Sequence, residues 1–194
     1  MSKSIRFTQE NWLEIGLQLL SDFGEQALTL ERLCATANRT KGSFYHHFKN
    51  HDDFINALLK YWQSRYTEQI TTAVDRLKDP MIQRKELNRL AANVDNRLER
   101  TIRNWSSVDL RVRQIIKLVD DRRINYLTDL ISRLGHLDRQ TANELAVIEY
   151  ATFLGLRYLF PDNESKQIKH FGTRVTEIIS SYSSQVSKKS KLSN

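Results

Sequence analysis

This 194-residue chain is poor in the residues that staple, kink or span. It has one cysteine, Cys34, so an intramolecular disulfide framework and a cysteine-rich zinc site are both excluded. It has two prolines and six glycines, which disfavours turn-rich β structure and favours long helices. No apolar run approaches the ~20 residues that a membrane-crossing helix needs. The first residues, MSKSIRFTQEN, lack the apolar segment of a secretory signal, so a cytoplasmic protein without membrane association is expected. Phosphate-binding glycine loops, HExxH and GxSxG are all missing, and an enzyme is not expected. Asp120-Asp121 is followed at once by Arg122-Arg123, the pattern of an ion-paired helix face rather than a catalytic carboxylate dyad.

What is present is apolar residues at helical spacing, with 40% of the chain hydrophobic and a net charge of +7. The positive charge suits a polyanionic partner but is unevenly spread. Residues 1–51 hold six Lys/Arg against five Asp/Glu, whereas Thr36 to His51 contains no acidic residue at all. That acid-free stretch follows a short amphipathic helix made of Leu30, Leu33, Cys34 and Ala37. Thr29 is placed to cap it, with Glu31 in its first turn. Asn38 tolerates the left-handed backbone that a sharp turn needs. Thr40 can cap a second short helix whose inward residues are Phe44 and Phe48, four apart. Outward it offers Lys41, Gly42, Ser43, Tyr45, His46 and His47, followed by Lys49 and His51. Hydroxyl, cationic and aromatic donors on the second of two short helices are what a reader of the DNA major groove requires. Thr40, Tyr45, His47 and Lys49 are the expected phosphate contacts, and Lys41, Ser43 and His46 the expected base-edge contacts. Adjacent histidines point about 100° apart on a helix and no cysteine or carboxylate completes a set before Asp52, so no metal is expected.

The run ANRTKGSFYHHFKNHDDF resembles the DNA-binding signature of TetR-type transcriptional regulators. Thr40, Gly42, Tyr45 and Phe48 stand where that family's pattern has a small hydroxyl residue, glycine, tyrosine and phenylalanine, and Phe54 stands where its fourth helix packs back. Asn38 replaces the family's usual glycine, Arg39 a small apolar residue and His51 a lysine. Arg39 and His51 could add or weaken a phosphate contact, so both join Thr29 as candidate DNA-binding residues. The resemblance covers about the first third of the chain. It implies an all-α fold: an N-terminal three-helix helix-turn-helix DNA-binding domain and a C-terminal helical domain for ligand binding and dimerisation. It also implies a homodimer on duplex operator DNA, with a small-molecule effector that releases a repressor. No cofactor is expected.

Along the chain, Thr8 should cap a first helix bearing Trp12, Ile15, Gly16, Leu19, Leu20 and Phe23, ended by Gly24. Lys3 and Arg6 lie in an N-terminal arm. A connector of ~25 residues should start at Asn50 or His51 and close at Asp79-Pro80. Leu87 to Ile102 predicts one helix, Val112 to Leu134 a long one, Leu145 to Phe160 another stopped by Pro161, and Ile168 to Tyr182 a last one. Domain boundaries are expected at 6–66, 67–182 and, as a flexible basic tail, 183–194. Leu145 to Phe160 is apolar on more than one side, which requires burial on more than one side. Such a helix can be the central helix of a monomeric bundle, or one side of it can face a second subunit. The resemblance implies the latter, a four-helix intersubunit bundle, and Leu145, Ile148, Thr152, Gly155, Leu156 and Leu159, with Leu127, Leu130 and Ile131 of the long helix, are expected at that dimer interface. Trp62, Tyr66, Trp105, Tyr126, Tyr150 and Phe153 are candidates to line an effector pocket. The competing reading is a helical ligand-binding or scaffold dimer without sequence-specific DNA binding; an α-helical enzyme has only the pocket candidates behind it.

Overall fold

The computed structural model describes residues 7–135, 137–160 and 165–192. Their architecture is all-α: α1 (Gln9–Phe23), α2 (Leu30–Ala37), α3 (Lys41–Tyr45), α4 (His51–Gln63), α5 (Gln69–Asp75), α6 (Pro80–Ala92), α7 (Asn96–Trp105), α8 (Leu110–Gly135), α9 (Arg139–Leu159) and α10 (Ser165–Leu192). Lys3, Arg6 and Pro161 lie outside the described residues. The chain divides into two compact units. The first comprises residues up to Ser64 together with Arg97–Ile115, and the second Arg65–Asn96 together with the chain from Ile116 on. Residues 97–115, expected in the C-terminal domain, therefore cluster with the first unit, the head.

Helix ends in the head follow the capping residues. Thr8 and Asn11 form a reciprocal capping box at α1, and Gly24 ends that helix at φ 83°. The core is aromatic. Trp12, Phe44, Phe54, Leu58 and Trp62 are fully buried, and Phe44 lies 5.0–5.4 Å from Trp12, Phe48 and Phe54 by ring centroids. Gly16 lets α1 approach α4: a Cβ there would stand 2.7 Å from Phe54 Cζ and 2.9 Å from Leu58 Cδ1. From the later segment, Leu98, Ile102 and Val112 are buried, and Arg111 bonds Asp52 at 2.8 Å while Arg97 bonds Asp22 at 3.1 Å.

Four features differ from the sequence expectation. The connector is not one α-helix: Ser64–Glu68 forms a π turn between α4 and α5. Arg123 donates to the Tyr66 carbonyl at 3.3 Å and to Thr67 Oγ1 at 3.0 Å there, the kind of side-chain partner that stabilises such a turn. Asp79 does not end the connector but caps α6, accepting from Met81 N and Ile82 N with Pro80 at the first helical position. The helix expected from Leu87 to Ile102 is split in two. Buried Asn96 at the break donates to the carbonyls of Arg157 and Phe160 at 3.2 and 3.1 Å. Finally, α10 runs on to Leu192 instead of giving way to a tail after Tyr182.

The second unit has an apolar cluster of Leu127, Ile131, Leu137, Ala142, Ala146, Tyr150 and Ile179. Beside it lies a buried polar network. Arg84 pairs with Glu149 and donates to Ser180 Oγ at 3.1 Å, Asn88 donates to Thr176 Oγ1, and Thr176 donates to Glu149 at 3.1 Å. Arg157 is 1% exposed and donates to the carbonyls of Ala91 and Val94 at the C-terminal end of α6.

Candidate nucleic-acid interface

Two short helices and the turn between them build the candidate surface. Thr29 caps α2 by accepting from Arg32 N at 3.3 Å. Asn38 is left-handed at φ 49°, the only non-glycine residue with positive φ among those described. It turns the chain so that Thr40 can cap α3, accepting from Ser43 N at 3.3 Å. Phe44 and Phe48 point into the core and hold α3 in place from beneath. The outer side of α3 is therefore free to meet a partner, and Lys41, Gly42, Tyr45, His46 and Lys49 are all exposed there. Tyr45 is 53% exposed, so its hydroxyl is wet while its ring edge rests against Phe44. Ser43 and His47 are half-buried. A Cβ on Gly42 would meet nothing closer than Thr40 Oγ1 at 3.7 Å. The fold does not require glycine there, and its small size instead opens the surface. Asn50 caps α4 by accepting from Asp53 N, and Asp53 in turn accepts from Lys49 N, which fixes the backbone beneath Lys49.

Beside the capping threonines, Lys41, Arg39 and His51 of the sequence-predicted contacts have internal partners. Lys41 Nζ bonds Glu31 at 2.7 Å, both side chains being largely exposed. That hydrogen bond holds the Glu31 carboxyl below the usual carboxylate range and raises the Lys41 ammonium. An exposed pair of this kind is weak enough for a phosphate or a base to replace Glu31. Arg39 lies over the Phe7 ring at 4.9 Å and donates to the Asn38 carbonyl at 3.0 Å, so it clamps the turn. His51 Nε2 is hydrogen-bonded with the Leu28 carbonyl, which ties the start of α4 to the loop before α2. The pattern of residues carried no signal for either internal role, because both partners are backbone carbonyls set by the turn geometry. Cys34 is buried, and burial pushes its thiol up, in keeping with a packing role.

The pocket candidates fall in both units and the interface candidates differ in burial. Trp62 and Trp105 are buried in the head, whereas Tyr126 and Tyr150 are engaged in the second unit with Asp75 and Asp120, both at 2.7 Å. Burial, and then the bond to Asp75, raises the Tyr126 phenol. Tyr66 lies in the π turn. Phe153 stacks on Tyr150 with ring centroids 6.4 Å apart and lines a sizeable groove, described below. Leu127, Leu130, Ile131 and Leu156 are buried within their own unit, and Leu145 packs against its core. They are core residues: α8 turns Leu127, Leu130 and Ile131 inward, and α9 turns Leu145 and Leu156 inward. Ile148 and Leu159 are 56% and 72% exposed, and Gly155 has open space around it. The sequence reading expected a helix at α10 but no interface residue on it, and Phe171, Ile178 and Tyr182 are exposed there. Their spacing of 7 and 4 was the available signal.

Among the described residues, no group of three or more His, Cys, Asp or Glu could hold a metal, and no helix is long and apolar enough to cross a membrane. Residues 13–58 match the family model of bacterial regulatory proteins, tetR family. No curated protein matches the chain. Solved structures share its fold. The reduced form of NemR from E. coli has a TM-score of 0.73 at 20% identity, covering 89% of this chain and 96% of its own. SCO4454, a TetR-family transcriptional regulator from Streptomyces coelicolor, has a TM-score of 0.73 at 17% identity, covering 89% and 88%. AibR, in complex with isovaleryl coenzyme A and operator DNA, has a TM-score of 0.62 at 17% identity, covering 84% and 94%. Residues 13–58 thus match the DNA-binding domain of the tetR family, on a chain that shares its fold with TetR-family transcriptional regulators.

Proposed function

We propose that the protein is a ligand-responsive repressor that binds a palindromic operator as a homodimer in the cytoplasm. One observation carries the dimer: the apolar stripe left on α9 and α10. Ile148, Tyr158 and Leu159 of α9 and Phe171, Ile178 and Tyr182 of α10 are each about half exposed or more. Exposed apolar side chains clustered on neighbouring helices mark an interaction surface, and a second copy supplies the same stripe by two-fold symmetry. A single head presents one short recognition helix, which reads one half-site; two heads read a pair. Thr152 and Gly155 belong to the same face. The four-helix interface is thus proposed for α9 and α10, not for α8.

On DNA, Thr40, Tyr45, His47 and Lys49 are assigned to phosphates and Lys41, Ser43 and His46 to base edges. Thr29 stays a candidate phosphate contact at the start of α2. Arg39 and His51 act through the turn and loop they hold. The ligand response is supported by the likeness to AibR, whose structure contains both an acyl-coenzyme A and operator DNA. A ligand can shift DNA affinity only through its different affinities for the two conformations.

The test is sedimentation of the wild type and of Ile148→Asp/Leu159→Asp. The wild type should run as a dimer, and the variant as a monomer with an unchanged helical spectrum and loss of operator binding. A monomeric wild type, or a variant that stays dimeric, contradicts the reading.

A further inference from the structure

A groove of about 570 Å³ runs between α6 and α10, with Phe153 of α9 among its lining. That volume is ordinary for a small-molecule site, ~300–1,000 Å³. Its body is apolar, built from Met81, Ala92, Phe153 and Ile168. Its charge is not balanced. Lys85 of α6 and Lys169 of α10 both line it and are exposed, and no ion pair engages either among the described residues. The other two charged lining residues are already engaged: Arg89 by Glu86 at 2.6 Å and Glu177 by Arg174 at 3.1 Å. An apolar cavity with two unengaged ammonium groups selects a ligand with an apolar body and a negative head.

Three hydroxyl or amide groups add polar reach. Asn88, Thr176 and Ser180 line the groove and are the outer members of the buried network around Arg84 and Glu149. A ligand seated there would touch side chains from α6 and α10 that are also bonded to α9. The groove also stays open in the proposed dimer. At 3.6 residues per turn, Lys169, Thr173 and Ser180 fall on the opposite side of α10 from Phe171, Ile178 and Tyr182.

We propose that this groove binds a small amphipathic anion, with its apolar body against Met81, Phe153 and Ile168 and a single carboxylate or phosphate held by Lys85 and Lys169. The consequence for transcription rests on the ligand-responsive reading above, but the site itself does not. Binding is measured without DNA, so a chain that binds the anion and never releases its operator would contradict that reading and leave the site standing.

The experiment is calorimetric titration of the full chain with decanoate, decyl phosphate and decyltrimethylammonium, each below its micelle concentration. Both anions should bind, the tighter one identifying the preferred head group, and the cation should bind at least about ten-fold more weakly. Lys85→Gln/Lys169→Gln should weaken the anions about ten-fold, as the loss of two exposed charge contacts implies, and should not weaken the cation. Gly172→Leu supplies a variant that should fold well. Gly172 lines the groove with open space at its Cβ position, and leucine is the better helix former. It should melt no lower than the wild type and lose anion binding. Absent binding, equal binding of anion and cation, or undiminished binding by Gly172→Leu would each overturn the proposal.

Discussion

The head and the second unit bury different chemistry. Across α1 to α4 the head's core is nearly all hydrocarbon and aromatic ring: Trp12, Phe44, Phe48, Phe54 and Trp62 are buried, and Phe54 and Leu58 close on Gly16. The buried carboxylate of the head, Glu99, is paired within α7 by Arg103. The second unit buries Arg84, Glu149 and Arg157 among its leucines and alanines. A close-packed apolar core resists deformation, which suits a surface that must present Tyr45 and Lys49 in fixed positions. A buried ion-pair network depends on every partner being present, because removing one leaves an uncompensated charge. The comparison separates a part built to hold shape from a part whose helices α6, α9 and α10 are joined by specific bonds.

Breaking the aromatic core should have the largest effect. Phe44→Ala leaves a cavity beneath α3 and should cost about 3–5 kcal/mol in denaturant unfolding, with DNA binding lost as the helix loosens. Glu149→Gln should cost about 3 kcal/mol or more, because Arg84 keeps its charge without a counterion. The sharper test is the pair: Arg84→Met/Glu149→Leu should recover most of that loss, whereas Phe44→Ala/Phe48→Ala should recover nothing. Equal behaviour of the two pairs in unfolding titrations would erase the distinction between the cores.

Smaller effects are expected at the surface. Tyr45→Phe removes only a hydroxyl, so melting should not change, while affinity for specific and random duplexes should fall alike by about five-fold, as for one hydrogen bond. A loss confined to the specific sequence, read by fluorescence anisotropy, would reassign Tyr45 to base readout. Glu31→Gln should have the smallest effect. It frees Lys41 and removes a negative charge near the DNA, tightening binding by about two- to three-fold at low salt. The Lys41–Glu31 bond also sets the sign of a pH effect. Glu31 is depressed, so its contribution is complete above its unfolded value and is lost as pH falls through the folded one. Lys41 is raised, so its contribution is complete below its unfolded value and is lost as pH rises through the folded one. The melting difference between wild type and Glu31→Gln should therefore be flat around neutral pH and vanish in acid.

The head was legible because its signals are local. Thr8, Gly24, Thr29, Asn38, Thr40 and Asn50 each act within four residues, and a helical stripe with Phe44 and Phe48 four apart can only face one way. The second unit hides its logic in distant pairs. Arg84 and Glu149 are 65 positions apart and look like surface residues until both are found buried. Asn96 breaks a helix through carbonyls more than 60 positions away. Of the aromatic pocket candidates, Trp62 and Trp105 belong to the first unit and Tyr66, Tyr126, Tyr150 and Phe153 to the second, and helical spacing reports which way a side chain faces, not what it meets. The same limit misassigned Leu127, Leu130 and Ile131 to an interface: their stripe faces the chain's own core.

The most direct test of the central claim, a surface on α2 and α3 that reads duplex DNA as one of a symmetric pair, is selection of bound fragments from a random duplex pool at near-physiological salt. The account predicts enrichment of a palindromic motif with two half-sites, lost when Lys41 and Ser43 are replaced by alanine. Binding that enriches no sequence and collapses as salt rises would contradict it, since phosphate attraction alone behaves that way.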